Sequence, residues 1–208
     1  MNGNETQVLM HPWRRRQVLM LALVGLTAGA MPAQARDYRS RALAMVSNLP
    51  EDAEFRPDLE AELLRLANAY RAQKRIPALA EDTVFFQAAR AQAADMMLNN
   101  FIGHTASDGT PFERRLRALG GAIERFGTVG ENAARDSKKT PVDAAKAAAL
   151  FQQWVDSRPH RANLKKSDYS FAATGVVQRG STIWAIQIFR GAERKGMFFF
   201  GNNSTVKQ

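Results

Sequence analysis

Apolar residues recur at Leu59, Leu63, Leu66 and Tyr70, the spacing of one helical face. Asp58 is placed to cap this helix, Glu60 and Glu62 suit the positive end of its dipole, and Pro77 lies beyond its close. A second helix is predicted from a cap at Asp82 through Leu98, with Phe85, Ala89, Gln92 and Met96 along one stripe. Thr110-Pro111-Phe112-Glu113 combines a cap residue, an N1 proline and a reciprocal acid, opening a third helix whose Phe112, Leu116 and Leu119 face inward before Gly120-Gly121. Thr140-Pro141-Val142-Asp143 repeats the signal ahead of an alanine-rich helix reaching Trp154. The period then changes to two. Residues 174–178 and 182–189 are β-branched and apolar runs separated by Arg179-Gly180-Ser181, which predicts a hairpin. Residues 197–200 suggest a further strand, and 202–208 a frayed tail. Helices followed by a hairpin indicate an α+β layered domain over residues 57–201 rather than an alternating parallel sheet. Residues 36–56 have mixed charge and weak periodicity and are expected to form a linker or loosely packed lead-in.

The first 35 residues carry a different pattern. Arg14, Arg15 and Arg16 precede an uncharged, mostly apolar run over 18–31, too short for a comfortable membrane span. Ala33-Gln34-Ala35 then supplies small residues of the kind a signal peptidase accepts. Residues 1–35 are therefore expected to be a signal peptide, cleaved before Arg36, with no transmembrane helix remaining. Arg15-Arg16-Gln17-Val18-Leu19-Met20 resembles a twin-arginine signal, although paired arginines also occur in ordinary export signals. The protein is expected to be periplasmic or secreted.

Composition adds two constraints. The chain has no cysteine, which excludes disulfides, thiolate nucleophiles and cysteine zinc sites. Its formal charge is +9; removing residues 1–35 takes away three arginines and one glutamate and leaves +7. A domain this basic is attracted to anionic partners such as lipid headgroups or acidic glycans. Nucleic acid is not expected, because no aromatic residues interleave with the basic ones as on a single-strand binding surface.

After residue 35 only His104 and His160 can supply imidazole chemistry, since His11 lies earlier. His104 sits in Phe101-Ile102-Gly103-His104-Thr105-Ala106-Ser107-Asp108-Gly109, a turn-rich segment. His160 sits in Trp154-Val155-Asp156-Ser157-Arg158-Pro159-His160-Arg161-Ala162-Asn163-Leu164, just past a helix end. Gly130-Glu131-Asn132 lies between them at the start of an extended segment. Asn132 and Asn163 are expected to bond to backbone in turns.

These motifs, in this order, resemble bacterial members of the CAP superfamily, named for cysteine-rich secretory proteins, antigen 5 and pathogenesis-related proteins and also called the SCP domain. Asn68-x-Tyr70-Arg71, Thr174-Gly175-Val176 and Trp184-x-x-Gln187-x-Phe189 extend the likeness over 59–189. The resemblance implies an α-β-α sandwich around a small central antiparallel sheet. It also implies a cleft lined by two histidines and two acids, sometimes holding a divalent metal. His104, Glu131 and His160 match three of those four positions. Ser157 matches the position of the second acid, and the adjacent Asp156 would point elsewhere on a helix.

Two neutral imidazoles and a carboxylate could hold zinc with an open fourth position; the same groups could equally form a hydrogen-bonded cluster anchoring loops. Ser157, His160 and Glu131 make a nominal triad, but Ser157 precedes Arg158-Pro159 and the chain has no Gly-x-Ser-x-Gly. Phe198-Phe199-Phe200 reads as a buried edge strand rather than a lipid contact. The leading expectation is an extracytoplasmic binding domain whose cleft takes a small ligand, lipid or anionic envelope component. A metal-assisted hydrolase of envelope peptides or glycans is the alternative, and a structural partner-binding module the third.

Overall fold

The C-terminal runs pair with each other, and the remaining elements pack around them. In the computed structural model, which describes residues 33–193, β4 (Phe171–Arg179) and β5 (Thr182–Arg190) form an antiparallel hairpin. Gly180 turns it with φ of 57°, the left-handed conformation that tight hairpins require. β3 (Val129–Asp136) lies antiparallel on the outer side of β5. On the other side of β4, β1 (Ala53–Phe55) pairs antiparallel with its end and β2 (Ala80–Glu81) parallel with its beginning. The main path across the sheet is β1-β4-β5-β3.

Side chains alternate across these strands and so supply two cores. Ile183, Ala185 and Phe189 face α2 (Pro57–Gln73), α5 (Ala144–Asp156) and α6 (Arg158–Lys165), meeting Leu63, Leu150, Trp154 and Leu164. Trp184, Ile186 and Ile188 face α3 (Phe86–Leu98) and α4 (Phe112–Gly120), meeting Phe85, Met96 and Leu116. The result is the α+β, α-β-α layering expected from the resemblance.

Residues 36–56 are not a loose lead-in. Residues 33–47 form α1 (Ala33–Ser47), which packs on α3 and α4, and Tyr38 is only 1% exposed. Tyr38, Ala42, Met45 and Val46 repeat at helical spacing, but the stripe is weak because its second member is alanine. Residues 53–55 then join the sheet as β1. Residues 1–32, which hold most of the expected signal peptide, and the expected strand and tail over 197–208 lie outside the described residues.

Four helix starts differ from the capping pattern in the sequence. Arg56, not Asp58, precedes α2, and Asp58 in the first turn accepts from Arg56 Nε at 2.9 Å. Asp82 does not open α3; its carboxylate accepts from Arg190 Nε at 2.9 Å, tying the strand end to the sheet. Thr110 Oγ1 donates to Asp108 at 2.8 Å instead of capping α4. In α5 the cap is Asp143, which accepts from the amides of Ala145 and Lys146. In each case a neighbouring charge or backbone group competes successfully for the side chain.

Gly175 sets the distance between α3 and the sheet. A Cβ there would lie 2.5 Å from the carbonyl carbon of Ala89 and the amide nitrogen of Arg90. Both are backbone, so only a shift of the helix could relieve the clash. Gly175→Ala should cost about 1–3 kcal/mol, read as a lowered midpoint in urea denaturation. An unchanged midpoint would show that α3 can slide without loss.

Candidate functional site

β3 is the strand at one edge of the sheet path, and its alternation sends adjacent residues into opposite layers. Glu131 points to the α4 side and Asn132 to the α6 side, which brings the two histidine segments together over the strand. His104 lies in the loop between α3 and α4. Gln92 of α3 donates to Gly103 O at 2.9 Å, and the buried Asp95 accepts from the Ser107 amide at 2.7 Å and hydroxyl at 2.6 Å. Arg41 of α1 pairs with Asp108 in the same loop. His160 lies in the first turn of α6, held by Asn132 Nδ2 donating to His160 O at 3.2 Å.

His104 Nδ1 lies 2.9 Å from Glu131 Oε1. An ionised carboxylate only accepts, so Nδ1 carries the proton in this contact. Behind this contact is a residue the sequence reading missed. Arg115, fully buried on α4, donates through Nη2 to Glu131 Oε1 at 2.9 Å and Oε2 at 2.8 Å, and to His104 O at 2.9 Å. Burial works against the Arg115 charge, yet the Glu131 carboxylate and the Tyr38 phenol beside it outweigh that effect and its pKa is raised. Tyr38 itself is pushed up to about 12, mainly by burial.

The two imidazoles face each other edge-on, with ring centroids 6.1 Å apart and planes at 63°. The His104 side chain is 51% exposed and His160 is half-buried, so both remain open to a ligand. Burial, with the neighbouring His104 adding to it, holds His160 below the usual histidine range. The folded state therefore binds a proton at His160 less readily than the unfolded chain. Stability from the neutral ring is present above about pH 6.5 and is lost as pH falls through the lower folded value. Urea midpoints measured between about pH 7.5 and about pH 5 should fall for the wild type and fall less for His160→Gln. Parallel curves would remove His160 as the source.

The other expected participants are placed differently. Asn132 and Asn163 do bond to backbone, but across elements rather than within turns: Asn163 Nδ2 donates to Glu131 O at 3.1 Å and to Asn132 Oδ1 at 2.9 Å. Ser157 joins α5 to α6, and its carbonyl accepts from the Arg161 amide at 2.8 Å. Asp156 is exposed and accepts from Gln152 at 2.8 Å. The imidazole held by Glu131 belongs to His104, which does not suit a Ser157-His160-Glu131 triad.

The sequence model of the cysteine-rich secretory protein family, CAP, matches residues 64–189. That span holds His104, Arg115, Glu131 and His160. The chain belongs to the CAP family. It is 31% identical over 129 residues to the Bacillus subtilis protein YkwD, a match covering 62% of this chain and 46% of the relative. The chain thus spans less than half the length of that relative. An SCP-domain extracellular protein from Bacillus anthracis superposes with a TM-score of 0.53 at 23% identity, over 64% of this chain and 40% of the other. An outer surface protein from Borrelia burgdorferi superposes with a TM-score of 0.56 at 15% identity, over 68% of this chain and 99% of the other. Both carry the same fold. The CAP match begins within α2, so α1 lies outside the matched residues; it reaches the site through Tyr38 and Arg41.

The divalent metal implied by the CAP resemblance does not fit this arrangement. Both Glu131 oxygens already accept from a buried guanidinium, and one of them also meets His104. Arg115 brings a fixed positive charge close to the carboxylate that would have to bind the ion. Among the described residues, no group of three or more His, Asp or Glu side chains is gathered so as to hold a metal.

Proposed function

We propose that this CAP protein is an exported binding domain whose cleft between His104 and His160 takes a small anionic component of the cell envelope. The observation carrying this reading is the Arg115-Glu131-His104 chain. Arg115 neutralises Glu131 from behind, so the floor of the cleft presents two imidazoles without a net negative charge. Exposed Arg158 and Lys165, on the same short helix as His160, add positive potential nearby. An anion would accept hydrogen bonds from ring N–H groups that face it. Nothing in this chemistry requires a nucleophile. The extracellular and outer-surface descriptions of the fold relatives, together with the signal-like first 35 residues, support export.

The test is retention of envelope lipids and glycans by the purified protein, identified by mass spectrometry. A basic control protein of equal charge and the His104→Ala/His160→Ala variant run in parallel. The expected result is a component retained by the wild type and lost from the variant. Retention no greater than the control, or unchanged by the double substitution, would overturn the reading.

A further inference from the structure

On the opposite side of the sheet from the histidines, the edge of β4 has a gap. β2 pairs with β4 only at Phe171 and Ala172, and β1 only at Val177, Gln178 and Arg179. Residues 173–176 therefore have a strand neighbour on the β5 side alone. Alternation turns the main-chain groups of Ala172, Thr174 and Val176 toward the gap. Ala172 O accepts from the Asp82 amide and Val176 O from the Arg56 amide, while the Val176 amide donates to Glu60 Oε1. Thr174 lies between them and lines an open cavity of about 400 Å³ between α2 and α3. That volume falls in the range of small-ligand sites.

The cavity has a charged end and an apolar wall. Arg90 donates through Nε and Nη2 to the nearly buried Glu60, at 2.8 and 2.7 Å, and the rings of Phe55 and Phe86 lie against its guanidinium, with centroids at 4.8 and 4.4 Å. The group is thereby fixed in orientation. A guanidinium has a second fork, formed by Nη1 and the remaining Nη2 proton, which Glu60 does not use. Leu64 and Phe86 supply apolar surface, and the exposed Glu81 carboxylate stands at the rim.

We propose that this cavity is a second ligand site, separate from the histidine cleft, that takes the carboxyl-terminal end of a short peptide. The terminal carboxylate sits on the open fork of Arg90. The last amide faces the main chain of Thr174, a side chain lies on Leu64 and Phe86, and a free amino group meets Glu81. No covalent step is involved.

The experiment follows backbone amide shifts of isotope-labelled protein titrated with L-alanyl-L-leucine and with its C-terminal amide. Shifts at Ala61, Phe86 and Thr174 are expected with the dipeptide, and affinity about tenfold weaker for the amide. Arg90→Lys should weaken binding about tenfold, because lysine keeps the charge but not the fork. Leu64→Trp, which fills the cavity without touching the ion pair, should abolish binding and serves if the arginine variant unfolds. His104→Ala/His160→Ala should bind as the wild type does. The proposal is overturned by no shift up to about 10 mM, by equal binding of acid and amide, by wild-type binding in Leu64→Trp, or by loss of binding in the histidine variant. Only that last result would transfer the peptide to the cleft of the proposed function.

Discussion

Arg115→Met should lower the melting temperature by roughly 6–20 °C, corresponding to about 3–5 kcal/mol for removing one partner of a buried ion pair. Arg115 is fully buried and the Glu131 side chain 2% exposed, so water cannot replace the guanidinium. Methionine approximates the aliphatic volume of arginine, which keeps cavity formation out of the measurement. The loss then comes from a buried carboxylate left with the His104 ring alone and from His104 O losing its donor. Adding Glu131→Gln should restore a large part of the stability, because the stranded charge is gone. A single variant that melts with the wild type would mean that Glu131 is already protonated or solvated. The neutral cleft floor proposed above would then have no basis.

Arg115, which organises this site from beneath, was harder to read than the two histidines and the glutamate it supports. His104, Glu131 and His160 were legible because each sits in a recognisable motif, and the structure brings the first two to 2.9 Å and the two rings to 6.1 Å. Arg115 left a signal of another kind. Phe112, Arg115, Leu116 and Leu119 share helical spacing, so a charge falls on an otherwise apolar stripe. Such a residue must find a buried partner, but helical spacing alone does not name it. The hairpin was clear because period-two patterning, a glycine turn and β-branched residues agree. α1 was not, since a stripe built on Tyr38, Ala42, Met45 and Val46 has little apolar area until it docks against Ala91, Ala106 and Ala118. Helix starts misled for a physical reason as well. Asp58, Asp82 and Thr110 each have the right chemistry for a cap, but Arg56 and Asp108 nearby in sequence and Arg190 across the sheet take the side chains.

Arg71 is the second charge on a buried stripe, continuing Leu63 and Ala67 at intervals of four along α2. It is 0% exposed, and its partners are four carbonyls: Pro77 O at 2.7 Å, Leu164 O at 3.1 Å, Lys166 O at 2.9 Å and Tyr169 O at 3.1 Å. Burial lowers its pKa. These acceptors come from the turn after α2 and from the end of α6 and the segment beyond it, so one side chain latches two distant segments. Arg71→Leu strands those carbonyls, each worth about 1–3 kcal/mol when left without a donor. With some rescued by water, the expected cost is about 4 kcal/mol or more, in the range reserved for broken buried networks. Arg71→Lys should recover only part of it, because an ammonium on a flexible stem cannot hold that fan of acceptors. Hydrogen exchange adds the spatial test: amides over 164–170 should lose protection in Arg71→Leu before the hairpin does. Asn163, one residue before Leu164, donates to Glu131 O, so the loosening should carry to the histidine pair. A variant within about 1 kcal/mol of the wild type, with protection unchanged at 164–170, would show that water substitutes for the guanidinium and that the latch is not needed.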